Sequence, residues 1–320
     1  MGPELLVWYQ ANARDLPWRR TRDPWAILVS EVLLQQTRVE QARGYFERIL
    51  ARFPTPGHLA EAGLEELLRL WQGAGYYRRA ARLFFAARRI AAEGFPRDFE
   101  GLLALPGVGR YTAGAVASIA FGEPVPAVDG NARRVLARYF AVERPSEAWL
   151  WEVAARHLDR ERPGAWNQAL IELGATVCRP RRPLCSLCPL REGCRGRAAP
   201  ERYPRPRPRR VRIWRVYVLL LLGRGGWVLE LREEGPWAGL YAPPLGEDKE
   251  ALLRRFGLSP SDVRRLGEMT FALTHRRVEA ELLFARGGWP GTDPGAVPLS
   301  TFARRVLELA EQRLAEEEAG

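Results

Sequence analysis

Up to about residue 195, apolar positions recur every three to four residues, as in "YFERILARF" (Tyr45 to Phe53) and "LEELLRLW" (Leu64 to Trp71). That spacing puts one side of a helix into a core, so the pattern predicts helices almost throughout. The stretch "RAAPERYPRPRPRRVR" (residues 197–212) breaks it. Its prolines predict an extended linker over 198–209, and its arginines could lie along a phosphate backbone. Beyond the linker the pattern changes again. "WRVYVLLLL", "GGWVLELREE" and "RRVEAELLFARG" predict strands, several of them alternating, and helical patterns return near 247–257 and 301–316. The expected organisation is a mainly α domain over 1–197 and a smaller α+β domain over 210–320. No internal repeat is visible.

Charge narrows the classes of partner. The 320 residues carry 49 Lys+Arg against 38 Asp+Glu, a formal net charge of +11. A balance this basic points to a polyanion, nucleic acid first, with a merely soluble basic protein as the alternative. Arginine supplies nearly all of it, since the chain holds a single lysine, Lys249. No apolar run is long enough to span a bilayer; "VYVLLLLG" has the length of a buried strand. The expected location is cytoplasmic, associated with the nucleoid through DNA, and the expected state is monomeric.

The four cysteines, Cys178, Cys185, Cys188 and Cys194, form one C-x6-C-x2-C-x5-C cluster. Four thiols in one short segment of a cytoplasmic protein indicate metal rather than disulfides. The spacing alone favours a tetrahedral zinc; a [4Fe–4S] cluster also takes four thiolates, although this spacing is not of the ferredoxin type.

Three further places carry candidate chemistry. "LPGVGRYTAGAV" (Leu105 to Val116) predicts two helices joined by a turn through Gly107 and Gly109, a helix–hairpin–helix. The free N–H groups at the start of its second helix suit a phosphate oxygen without reading bases. Glu31 interrupts "WAILVSEVLLQQT", on one helix face with Ile27, Leu28, Leu34 and Gln35. A carboxyl on an apolar face has a raised pKa and can serve as a general acid, although a glutamate at the edge of such a stripe can also simply point to solvent. Asp129 precedes the helical "ARRVLARYF", where an N-cap is its plainest role.

Together the hairpin, "VDGN" (Val128 to Asn131), the cysteine loop, "LPWR", "SEVLLQQT", "GAGYY" and "NQALIELGA" resemble the endonuclease III superfamily of base-excision DNA glycosylases, specifically its adenine-glycosylase branch of the MutY type. The resemblance covers nearly the whole chain. It implies a helical glycosylase fold with a [4Fe–4S] cluster on the four cysteines, and a Nudix-like second domain. It implies excision of adenine opposite 8-oxoguanine or guanine in double-stranded DNA. Glu31 would be the acid and water activator, Asp129 the stabiliser of the sugar cation, and Asn131 an orienting group. Bifunctional members carry a lysine where this chain has Tyr111, so the resemblance implies a monofunctional enzyme that leaves an abasic site. Gln36, Thr37 and Tyr76 match lesion-probing positions, and Trp18, Arg19 and Gln168 match positions near the extruded adenine. The lesion-reading loop corresponds to Leu273, Thr274 and His275, with leucine replacing the usual aromatic residue. The stretch "DKEALLRRFG" lacks the glutamate-rich metal-binding helix of a working Nudix hydrolase, so nucleotide hydrolysis is not expected.

Overall fold

The computed structural model describes residues 1–205, 211–273 and 276–319, with side chains to 317. The chain forms two compact units, residues 1–63 with 82–207, and residues 64–81 with 208–320. Residues 64–81, which the linear reading places in the helical domain, group with the second unit.

The helices run in the order α1 (Glu4–Asn12), α2 (Pro24–Leu34), α3 (Val39–Arg52), α4 (Pro56–Ala62), α5 (Leu64–Leu70), α6 (Arg78–Glu93), α7 (Phe99–Leu103), α8 (Arg110–Phe121), α9 (Gly130–Tyr139), α10 (Glu147–His157) and α11 (Pro163–Thr176). In the first unit α2 packs on α3 and α8, while α11 packs on α1, α8 and α9. Where backbones approach closely, glycine is required. A Cβ at Gly114 would lie 2.2 Å from the Pro126 carbonyl oxygen, and one at Gly174 would lie 2.6 Å from the Asn131 Cβ. These two contacts press α8 against the segment that leads into α9, and α11 against the first turn of α9 itself.

In α2 burial extends beyond the one face that carries Glu31. Every residue from Trp25 to Leu33 is buried, so the helix is enclosed on all sides rather than along one stripe. Asp23 starts it, accepting from the Trp25 and Ala26 N–H groups at 3.1 and 3.2 Å.

The second unit carries a mixed sheet. Its strands are β1 (Arg212–Gly223), β2 (Gly226–Trp227), β5 (Leu245–Gly246), β6 (Arg264–Ala272) and β7 (Arg276–Arg286), ordered β2-β1-β7-β6 with β5 also on β1. A separate pair joins β3 (Glu230–Leu231) to β4 (Tyr241–Ala242). β1 and β7 run parallel from Arg212↔Arg276 to Leu222↔Arg286, and β6 is antiparallel to β7. The continuous apolar run of β1 follows from burial on both faces. Val216, Val218 and Leu220 enter the core with α13 (Thr301–Ala319), whereas Leu219 and Leu221 cluster with Leu252 and Leu253 of α12 (Lys249–Arg255). The predicted strand "GGWVLELREE" is instead two short pieces, β2 and β3, on different sheets.

Candidate active site

Glu31 occupies the third turn of α2 and is only 7% exposed. The Tyr111 hydroxyl donates to its Oε2 at 2.6 Å. Burial pushes the Glu31 carboxyl up to about 7, the charge of Asp129 adds to the rise, and the Tyr111 hydrogen bond and the Arg19 charge oppose it. Burial and the two neighbouring carboxylates drive the Tyr111 hydroxyl well above its ordinary value, so it remains a donor at neutral pH. A carboxyl that titrates near 7 can both give and take a proton under physiological conditions.

The hairpin delivers Tyr111. α7 ends at Leu103, the chain turns through Gly107 at φ +73°, and Gly109 caps α8 with Tyr111 in the first turn. The left-handed backbone at residue 107 favours glycine, and a Cβ there would also meet the Arg82 side chain at 2.4 Å.

Asp129 is both a cap and a candidate reacting group. Its Oδ1 accepts from the Ala132 N–H at 2.7 Å, and its Oδ2 accepts from Asn131 Nδ2 at 2.8 Å. Burial raises its pKa and these hydrogen bonds pull it back. Arg134 supports the pair from behind, donating to Asn131 Oδ1 at 2.8 Å and to the Gly174 and Cys178 carbonyls, both at 2.7 Å. Asn131 and Arg134 therefore connect Asp129 to the start of the cysteine loop.

Two buried polar residues escape the sequence reading as individuals. Asn167 is fully buried and accepts from the Ala127 N–H while donating to Val125 O and Ser118 Oγ, all at 2.9 Å. It pins the segment just before Asp129. Glu172 is also fully buried, and its carboxylate takes Arg14 at 2.7 and 2.8 Å and Arg19 at 2.7 Å. Burial alone would raise its pKa, yet the two guanidinium groups hold it at about 2. The signal was present: Glu172 interrupts an apolar helical run as Glu31 does.

The residues matched to the adenine side divide. Arg19 bridges to Glu172 and to Arg14 O, with its guanidinium 5.5 Å from the Tyr9 ring centroid. Gln168 accepts from the Tyr9 hydroxyl at 3.4 Å and donates to Gly164 O. Trp18 instead packs edge-on against Phe46 as part of the core. Gln36 is exposed with φ +68°, Thr37 follows it half-buried, and Tyr76 is exposed with φ +49°. Left-handed backbone is unusual for such residues and is commonly retained at functional positions. Thr274 and His275 lie outside the described residues. Lys249, on α12, sits 3.8 Å from Glu281.

The four cysteine thiols line one cavity with Arg138, Arg191 and Arg197. Arg138 is buried and approaches Cys178 Sγ at 3.4 Å, while also binding the carbonyls of Arg179, Pro180 and Tyr203. Burial and neighbouring thiolates push Cys188 up to about 11, and burial raises Cys194 as well. Among the described residues no three His, Cys, Asp or Glu side chains gather closely enough to hold a single metal ion. Four soft sulfur donors around one cavity have the chemistry to hold a metal centre, an iron–sulfur cluster included. No helix among the described residues is long and apolar enough to cross a membrane.

Comparison with known proteins finds relatives of this chain. The model of the HhH-GPD superfamily base excision DNA repair proteins matches residues 29–153. The adenine DNA glycosylase of Homo sapiens is 49% identical over 210 residues, 60% of this chain and 38% of that protein. This chain therefore spans well under half the length of the human relative. The adenine DNA glycosylase of Buchnera aphidicola subsp. Schizaphis graminum is 32% identical over 255 residues, 75% of this chain and 73% of that one. Among solved structures, a thermostable thymine-DNA glycosylase superposes with a TM-score of 0.57 at 30% identity, covering 60% of this chain and 93% of that one.

Proposed function

The chain belongs to the adenine DNA glycosylase family within the HhH-GPD superfamily, and from this premise we propose that it excises adenine opposite 8-oxoguanine or guanine in duplex DNA by hydrolysis. The observation that carries the reading is the Glu31–Tyr111–Asp129 group. It combines a buried carboxyl poised at about 7, a neutral hydroxyl donor 2.6 Å away and a second carboxylate held by Asn131.

The net charge of +11 draws the protein to the phosphate backbone, and the free N–H groups at the start of α8 receive one phosphate. The adenine is extruded at a cost of a few kcal/mol, with Gln36, Thr37 and Tyr76 filling the vacated stack. Protonated Glu31 donates to the adenine ring. The C1′–N bond then breaks with its electron pair leaving on the neutral base, and the sugar becomes an oxocarbenium-like cation. Asp129 stabilises that cation or traps it briefly as an ester. Glu31, now ionised, takes a proton from the water that adds to C1′. The two carboxylates thus divide the work as in glycosidases, with a nucleobase as leaving group. No lysine exists before residue 249, and tyrosine forms no Schiff base, so the product is an intact strand with an abasic site.

The cysteine set would hold a [4Fe–4S] cluster through Cys178, Cys185, Cys188 and Cys194, cross-linking the loop between them. The second unit would read the oxidised base through Thr274 and His275.

The test is incubation with duplexes carrying A opposite 8-oxoguanine, G or C, followed by alkali. Strand breaks that appear only after alkali, fastest opposite 8-oxoguanine, are expected. Breaks without alkali would make the protein a lyase, equal rates on all three would remove lesion reading, and no base release on any would end the proposal.

A further inference from the structure

The loop between α5 and α6 presents Tyr76, whose side chain is left 46% exposed although it is a large aromatic. Its backbone is held in an unusual state: Gly73, Gly75 and Tyr76 have φ of +90°, +70° and +49°. A non-glycine residue in the left-handed region persists only where its surroundings enforce it. Here the enforcing group is Arg79, which is only 7% exposed. Its guanidinium lies over two rings, 5.5 Å from the centroid of Trp71 and 5.4 Å from that of Tyr76. The same guanidinium donates to two successive carbonyls, Ala74 O at 3.3 Å and Gly75 O at 3.2 Å. Trp71 is fully buried and its indole also donates to Gly75 O, at 3.1 Å, while the Tyr77 hydroxyl accepts from the Gly73 N–H. The residue that grips the loop backbone therefore also backs the exposed ring.

We propose that Arg79 is a positioning residue for lesion recognition, locking the 73–77 loop and fixing the Tyr76 ring in the orientation in which it enters the base stack. The proposal rests on the reading of Tyr76 as a lesion probe. A ring already held in its bound orientation loses little freedom on insertion, so its contact free energy appears as affinity. Only a planar cation with several donors can lie over two rings and reach two carbonyls together; lysine is a point charge on a flexible stem. Burial lowers the Arg79 pKa to about 10, which leaves it charged at neutral pH.

The experiment is a double-mutant cycle on the full chain. The readout is the ratio of affinities for duplexes with 8-oxoguanine or guanine opposite the 2′-fluoro analogue of deoxyadenosine, which resists base release. Fluorescence of 2-aminopurine beside the lesion reports unstacking. Tyr76→Ala tests the probe reading and should lower both signals. Arg79→Gln, and Arg79→Lys as the variant that keeps charge and stem, should lower the ratio about five- to thirty-fold in the native background, the range of a desolvated cation–π contact. In the Tyr76→Ala background the same changes should matter less than about twofold, since coupled residues are non-additive. A purely structural role would weaken both duplexes alike and leave the ratio unmoved. If Tyr76→Ala changes nothing, the probe reading fails and this proposal with it. If Tyr76→Ala lowers the ratio but the Arg79 variants do not, or their loss persists undiminished without the ring, the positioning role alone is overturned.

Discussion

Replacing Glu31 by glutamine should inactivate the protein and stabilise it at the same time, with the stabilisation confined to neutral and alkaline pH. The folded carboxyl titrates at about 7, against an ordinary value of 4.5. Below pH 4.5 both folded and unfolded chains carry it protonated, and its ionisation has no effect on stability. As the pH rises from there the unfolded chain ionises first, and folding must reverse that ionisation. The native protein therefore loses stability up to about pH 7 and then levels off, having lost about 3 kcal/mol. Glutamine imitates the protonated carboxyl: its Oε1 can still accept from Tyr111, and its amide cannot ionise. Near pH 8 the variant should thus be about 3 kcal/mol more stable than the native chain, a shift of several degrees in Tm, and the gain should vanish near pH 4. Base release should fall at least 10²–10⁴-fold, the usual worth of a general acid–base group, while DNA affinity persists. Urea unfolding of both proteins across this pH range, beside single-turnover base release, makes the comparison. A stability difference independent of pH would show that Glu31 does not titrate in this window, and the acid role argued from its burial would go with it.

Tyr111→Phe removes the hydrogen bond that lowers the Glu31 pKa, so the alkaline limb of the single-turnover pH profile should move up by about one to two units; an unmoved limb would separate the hydroxyl from the acid. Tyr111→Lys places an amine in the first turn of α8, and borohydride should then trap a covalent protein–DNA adduct that the native chain does not form. Protein prepared anaerobically should contain about four irons per chain and absorb broadly in the visible range, and stoichiometric zinc without iron would defeat the cluster assignment.

The hairpin, the cap and the cysteine cluster were legible in sequence because each rests on local rules, whereas Glu31 became the candidate acid only through the family resemblance, its helix alone allowing an ordinary solvent-facing glutamate. Gly107 must turn at positive φ, Asp129 precedes a helix it can cap, and the cysteine spacing keeps four thiols in one short segment, whose carbonyls Arg134 and Arg138 then hold. Strands β1 and β7 and the helices near 247–257 and 301–316 were legible for the same reason, since apolar period depends on neighbours a few residues away, but β6 (Arg264–Ala272) was missed. "GGWVLELREE" failed because strand patterning shows a propensity to pair and not the partner: Trp227 pairs back onto β1, whereas Glu230 and Leu231 join β4.

Tertiary structure decided the chemistry. Glu31 and Tyr111 are 80 residues apart, and only the packing of α2 on α8 brings the hydroxyl within 2.6 Å. The stripe reading placed Glu31 on one apolar face, but enclosure on every side is what raises its pKa, and enclosure is a property of neighbours that the helix does not encode. Glu172 and Asn167 were hidden for the same reason. A carboxylate or amide inside an apolar run looks like an edge residue until its partners arrive, from Arg14 and Arg19 in one case and from residues 118–127 in the other. Sequence alone marked the candidate reacting residues and the local turns that present them. Desolvation and long-range contacts, which set proton affinity and orientation, exist only once the chain has closed on itself.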